Sequence, residues 1–159
     1  MEIPITIRQA TLSDLDEMLA IEEVNFSSEE ALSRQSLEES IRKTADTFLV
    51  ARDEDQLVGY ILGAELSGTH TQTSASLEIK HLAIHPDHLG QGLGTLLLAS
   101  LKQVAVEGGV KCLRLTCPDD LLSYFEMNGF VEEGVPEALY ARSSGWDLIW
   151  ANPFYQEEI

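Results

Sequence analysis

The chain has little cysteine, few bases and no long apolar run, and each shortage excludes something. The longest apolar stretches, such as Leu96 to Ala99, fall far short of the roughly 20 residues that a membrane-crossing helix requires. The start, Met1 to Arg8, alternates and holds Glu2 and Pro4, so no signal peptide is expected there. No repeat at solenoid periods and no low-complexity segment is present, which sets aside stacked-repeat and disordered architectures. The only cysteines, Cys112 and Cys117, stand at an odd offset in what reads as one strand. Such an offset puts them on opposite faces, where they cannot pair. Both read as buried, reduced core residues, the usage of a reducing cytoplasm. Lys and Arg number 10 against 27 Asp and Glu, a formal net charge of −17. A surface of that sign repels nucleic acid and anionic membranes, so neither is expected as a partner.

What is present is enough for one ordinary domain over residues 1–159, with a hydrophobic fraction of 44% to build its core. Ile3, Ile5 and Ile7 alternate as in a half-buried strand. Thr11 with Asp14 forms a capping box, and Leu12, Leu15, Met18, Leu19 and Ile21 continue at helical spacing. A second helix is expected from about Ser33 to Lys43, then a hairpin of Thr47 to Arg52 and Leu57 to Leu66 around a turn at 53–56, then a polar loop at 68–73. Ser74 to Ile84 reads as a strand stopped by His85-Pro86-Asp87, and the leucine stripe from Leu96 to Ala105 as a helix ended by Gly108-Gly109. Val110 to Thr116 reads as a strand, Asp119 to Asn128 as a helix, and short strands follow near Phe130 to Glu133 and at Trp146 to Trp150. The order β-α-α-β-β-β-α-β-α-β-β predicts an α/β fold, a mixed sheet flanked by helices.

Acidic residues are concentrated early in the chain. Nine acids and one base, Arg34, fall between Ser13 and Glu39. They read either as solvated helix faces or as a field that attracts a cationic ligand.

The most informative stretch is His88-Leu89-Gly90-Gln91-Gly92-Leu93-Gly94-Thr95, a glycine-rich turn between a strand and a helix. The first backbone N–H groups of a helix lack intrahelical acceptors and the helix dipole adds positive potential, so such a junction holds anions. Gly90, Gly92 and Gly94 let the main chain approach a phosphate closely. A nucleotide P-loop needs Lys after the glycine, and here Thr95 follows Gly94. A dinucleotide fold wants G-x-G-x-x-G in the first βαβ unit, whereas this loop is G-x-G-x-G and lies past mid-chain.

Leu82-Ala83-Ile84-His85-Pro86 followed by Gly90-Gln91-Gly92-Leu93-Gly94 resembles the acetyl-CoA motif of the GNAT superfamily of N-acetyltransferases. Tyr124-Phe125-Glu126-Met127-Asn128-Gly129-Phe130 resembles that family's second signature, an aromatic helix ending in Gly-Phe. The two occur in the family's order, and the resemblance covers nearly the whole chain, with a distant likeness to the arylalkylamine N-acetyltransferases. It implies a single-domain GNAT fold, a mostly antiparallel sheet of about six to seven strands with about four helices, splayed at its central strands. It also implies acetyl-CoA as co-substrate, no metal, a small primary amine as acceptor, and compatibility with a homodimer.

Carried over residue by residue, the resemblance puts the CoA pyrophosphate on the N–H groups of Gly90, Gln91, Gly92, Gly94 and Thr95 and the pantetheine arm along Leu82, Ala83 and Ile84. Two positions depart from the pattern. The Arg or Gln that usually opens the pyrophosphate motif is Leu89, and the Tyr that usually protonates the departing thiolate is Phe125, beside Tyr124. On a helix of 3.6 residues per turn, Tyr124 points about 100° away from that place, so either a local distortion lets Tyr124 act as the acid or the thiolate leaves unassisted. Glu78 is a candidate general base in the strand beside the thioester, with Lys80 on the same face, or else a surface residue neutralised by that lysine. His81, His85 and His88 superficially suggest a metal cluster, but Pro86 breaks any regular geometry. The expected activity is direct transfer of acetyl to a primary amine. The alternative is a CoA-binding module that has lost catalysis, because Leu89 and Phe125 both depart from the pattern.

Overall fold

The computed structural model describes residues 5–65, 76–132 and 145–155. Its elements are β1 (Ile5–Gln9), α1 (Leu15–Asn25), α2 (Arg34–Lys43), β2 (Phe48–Asp53), β3 (Gln56–Glu65), β4 (Ser76–Ile84), α3 (Leu93–Glu107), β5 (Cys112–Cys117), α4 (Asp119–Met127), β6 (Val131–Glu132) and β7 (Trp146–Ala151). Short 3-10 turns occupy Leu12–Asp14, Ala45–Thr47 and Pro86–His88. The element order is the expected one. Ile3, Leu66, the loop at 68–73, Ser74, Ala75 and Glu133 lie outside the described residues.

The strands hydrogen-bond in the order β1-β2-β3-β4-β5-β7-β6, giving a seven-stranded mixed sheet in an α/β fold. The ladders β1–β2, β2–β3, β5–β7 and β6–β7 are antiparallel, and β4–β5 is parallel. Packing divides the chain into two compact units, residues 1–64 with 80–104 and residues 65–79 with 105–159.

In the first unit, α1 and α2 cover a core of Met18, Leu37, Phe48, Val50 and Tyr60, all fully buried. Leu15, Met18 and Ile21 recur every third residue on one face of α1, and Leu37 and Ile41 stand four apart on α2, which is why these stripes turn inward. The capping box of Thr11 and Asp14 starts the first helical turn. Asp14 is 1% exposed, and its carboxylate accepts from the Thr11 N–H at 2.8 Å, from two Arg8 nitrogens at 2.8 and 2.7 Å, and from Arg52 at 3.0 Å. Ser33 caps α2 by accepting from the Ser36 N–H at 3.1 Å. β3 approaches β4 closely at Gly59. A Cβ there would stand 2.9 Å from the carbonyl oxygen of Ala83, so only glycine fits without moving β4. Leu93, Leu97, Leu98 and Leu101 are buried and fix α3, which begins three residues before the leucine stripe predicts.

In the second unit, β5 and β7 pair over six registers, from Cys112 with Ala151 to Cys117 with Trp146. β5 begins at Cys112 rather than at Val110 because the end of α3 uses the preceding residues as its cap. Gly109 takes a left-handed φ of 69°, and the Val110 N–H bonds back to the Ala105 carbonyl at 2.9 Å. Leu113, Leu115, Phe125, Phe130 and Leu148 form the buried side of this unit.

Candidate functional site

The site begins where β4 ends. Among the described residues β4 pairs with β5 at Ser76, Leu77 and Glu78, and it then runs on to Ile84. The His85 N–H bonds to the Val58 carbonyl at 2.8 Å, so the main-chain groups of His85 face β3. Strand alternation then turns Ala83 toward β3, and Leu82 and Ile84 toward the other edge. The Ile84 carbonyl accepts from the Asn25 side-chain amide at 2.8 Å, tying the end of β4 to the end of α1.

Next come the Pro86–His88 turn, with the His85 ring accepting from the Asp87 N–H at 3.1 Å, and the exposed Leu89. Gly90 and Gly92 both have φ of 79°, and a Cβ built at either would meet no atom within 4 Å. The loop is therefore open on the side where a larger residue would project. The helix starts when the Leu96 N–H reaches the Gly92 carbonyl at 3.0 Å, so the amides of Leu93 and Gly94 precede the first intrahelical bond. No acid stands in the first turn of α3 to oppose an anion. His88 and Gln91 bond through Nδ1 and Oε1 at 3.3 Å, which steadies the loop from its outer side.

The other residues singled out in the sequence fall as follows. Glu78 is half-buried and in register with Arg114 of β5. Tyr124 is half-buried, and its ring stands edge-on to Phe125 with centroids 5.1 Å apart. Phe125 is buried and packs edge-on against Phe130 at 5.9 Å, as a core residue of its unit. Cys112 and Cys117 are free and buried. Burial, together with Asp119, Asp120 and Glu126, pushes the Cys117 thiol up, so it is held protonated and poorly nucleophilic. Among the described residues no three His, Cys, Asp or Glu side chains are grouped to hold a metal. A cavity of about 380 Å³ lies beside the turn that follows β4 and is lined by Ile21, Val24, Leu57 and Pro86 with the carboxylates of Glu17 and Asp87.

The acidic run divides once it is folded. Asp14 and Glu22 are buried, Asp16 pairs with Arg34, Glu17 with Arg52 and Glu38 with Arg42, while Glu23, Glu29, Glu30 and Glu39 are exposed.

Glu22 belongs to a cluster that sequence reasoning missed. It is 1% exposed, at the end of the stripe that starts with Leu15 and Met18. One carboxylate oxygen accepts from the Leu32 N–H at 2.7 Å, and the other meets the Tyr60 hydroxyl and, at 2.7 Å, Nε2 of His81. Burial works against the charge, but the bonds from His81, Tyr60 and the Leu32 amide outweigh it and hold the carboxyl below its usual range. Burial and the neighbouring carboxylate push the Tyr60 hydroxyl well up, so it stays protonated and donates. The imidazole of His81 has the ring of Phe26 at 4.6 Å, tilted, and that of Tyr60 at 6.3 Å, stacked, between centroids. The only sign in the sequence is an acid on the apolar stripe of an amphipathic helix.

The sequence model of the acetyltransferase (GNAT) family matches residues 12–130. An uncharacterized protein from Mycobacterium leprae is 24% identical over 140 residues, which cover 88% of this chain and 38% of that protein. The chain thus spans about two fifths of that relative's length. The loading GNATL domain of CurA from Lyngbya majuscula superposes with a TM-score of 0.80 at 17% identity, covering 94% of this chain and 98% of that one. An N-acetyltransferase, PaiA, from Thermoplasma acidophilum, solved with coenzyme A, gives a TM-score of 0.74 at 19% identity, covering 93% and 99%. At these identities both likenesses are of fold.

Proposed function

The chain belongs to the acetyltransferase (GNAT) family, and from that premise we propose that it moves an acetyl group from acetyl-CoA directly to a primary amine, specifically a small cationic one. The observation that carries this reading is the junction of β4 and α3. A strand edge continuing past its last register with β5 meets a loop with two left-handed glycines and a helix start free of acids.

In this reading the amides of Gly90 through Thr95 and the dipole of α3 hold the CoA pyrophosphate. The outward main-chain groups of Leu82 and the N–H of Ile84 pair with the pantetheine arm as an added strand would. An N–H of the same stretch faces the thioester oxygen, where negative charge develops during attack. The neutral amine forms the N–C bond, the C–S bond breaks, and the thiolate departs. An alkyl thiol ionises near ~8.5, so departure needs little help near neutral pH. Tyr124 is the hydroxyl on α4 assigned to protonating it, since Phe125 has none to give. Cys112 and Cys117 are buried, which favours direct transfer over a covalent acyl-cysteine.

One observation favours the alternative, a CoA-binding module without turnover. The position that usually supplies the hydroxyl is packed as core at Phe125. CoA binding with no amine-dependent thiol release would establish that reading.

The exposed acids at Glu23, Glu29, Glu30 and Glu39 support a cationic acceptor. With acetyl-CoA saturating, a panel of polyamine, neutral and acidic acceptors is expected to rank the polyamine first. Its kcat/KM should fall several-fold as salt rises from roughly 0.05 to 0.5 M, because exposed charges are screened over about 10 Å at 0.1 M. A neutral or acidic best acceptor, or a rate indifferent to salt, would overturn the assignment.

A further inference from the structure

We propose that His81, oriented by the buried carboxylate of Glu22, is the group that takes the proton from the attacking amine. The inference rests on the acetyl-transfer reading and names the proton acceptor within it, a role the sequence pattern offers to Glu78.

Position comes first. His81 immediately precedes Leu82, where the strand edge assigned to the thioester arm begins. By alternation its side chain shares a face with Ala83, which belongs to the core cluster under α1 and α2. The side chain is 12% exposed, so it is not sealed in the core as Glu22 is.

Chemistry follows from the partners. The Glu22 carboxylate takes three hydrogen bonds from three different segments, the Leu32 amide, the Tyr60 hydroxyl of β3 and the His81 ring of β4. An ionised carboxylate accepts, so Nε2 of His81 carries the hydrogen and Nδ1 keeps its lone pair. The rings of Phe26 and Tyr60 hold the imidazole plane. Glu22 and Tyr60 are the titratable groups in contact with it among the described residues. A core that served packing alone would be at least as stable with apolar residues here, because a buried acid and imidazole each carry a desolvation cost. A neutral imidazole held by a buried carboxylate beside the reacting strand is an arrangement suited to accepting a proton.

The protons balance as follows. The ammonium gives one proton to Nδ1, producing an imidazolium compensated by Glu22. The freed nitrogen bonds to the carbonyl carbon. On collapse the C–S electrons leave with sulfur, which takes the proton of the hydroxyl assigned to it at Tyr124; the second nitrogen proton restores that hydroxyl, and His81 returns its proton to solvent.

The test is the pH profile of kcat/KM at saturating acetyl-CoA for the wild type, His81→Gln and Glu22→Gln, with CoA calorimetry and thermal melting on each. His81→Gln is expected to lose about 10²–10⁴-fold, the range of a general base, together with the rising limb of the profile. Glu22→Gln is expected to lose about 10–100-fold, because its amide donates to Nε2 and turns Nδ1 into the N–H. CoA affinity should be unchanged in both. Added imidazole should restore turnover to His81→Ala, which a merely structural role would not allow. Turnover within about threefold of wild type in His81→Gln, failure of imidazole rescue, or a larger loss in Glu78→Gln would overturn the inference alone. Absence of amine-dependent turnover in the wild type would overturn the acetyl-transfer reading and this inference with it.

Discussion

Gly92→Val is expected to weaken CoA binding at least about a hundredfold, the scale of two lost hydrogen bonds to a charged group, while the protein stays folded. Gly92 sits at φ 79°, a conformation that a β-branched residue resists, so the loop backbone must change to accept valine. That strain costs roughly 1–2 kcal/mol and lowers the melting temperature only modestly. The built Cβ meets no protein atom within 4 Å, so the added side chain projects into the space assigned to the pyrophosphate. Both effects act on the anion site, and the leucines that fix α3 are untouched. Calorimetry with CoA, alongside a melt, checks the expectation. A folded variant with parental affinity would place the pyrophosphate elsewhere.

Asp14→Ala is expected to destabilise the protein by about 3–5 kcal/mol without bearing on the site's chemistry, which is the scale for breaking a buried ion pair from one side. The carboxylate joins the Thr11 cap to Arg8 and Arg52. Its loss leaves the Arg52 guanidinium, 16% exposed, without that partner. Arg8 is 36% exposed and regains water, which moves the expected loss toward the lower end. The same residue sets part of the acid response. Burial raises the Asp14 pKa, but the bonds from Arg8 and the Thr11 amide and the charges of Arg8 and Arg52 bring it below the ordinary aspartate value. A carboxyl lowered by folding contributes fully above its unfolded pKa, ~3.9, and loses that contribution as pH falls through its folded value. Urea midpoints for wild type should therefore drop below about pH 4, and Asp14→Ala should drop less steeply. Glu22 shifts in the same direction, so some acid sensitivity remains in the variant. Parallel curves for the two proteins would contradict this account of Asp14.

The parts legible in the sequence are those whose cause is local. The leucine stripe of α3, the capping box at Thr11 and the hairpin of β2 and β3 each arise from nearby residues, and the structure has all three, with α3 starting three residues ahead of its stripe. Boundaries shifted where a cap claims residues that propensity assigns to the next element, as at Gly109 and Val110. The Glu22, Tyr60 and His81 cluster was not legible, because its members lie 38 and 59 positions from Glu22 and meet only through tertiary packing. The acidic run shows the same limit. Glu22 is buried and bonded while its neighbour Glu23 is exposed, and the position of Glu22 on the apolar stripe of α1 is the one local difference between them. The stretch proposed to hold CoA could be named from the sequence because it is contiguous, at residues 82–95, whereas the groups proposed to move the proton come from separate elements.

The central claim is tested most directly by following both products of one reaction. The protein is mixed with acetyl-CoA and a polyamine, and free thiol and acetylated amine are quantified together over time. The account predicts that the two rise in a one-to-one ratio, depend on the amine and saturate in acetyl-CoA. Thiol release at the same slow rate with and without every amine tested, and no acetylated product, would contradict it.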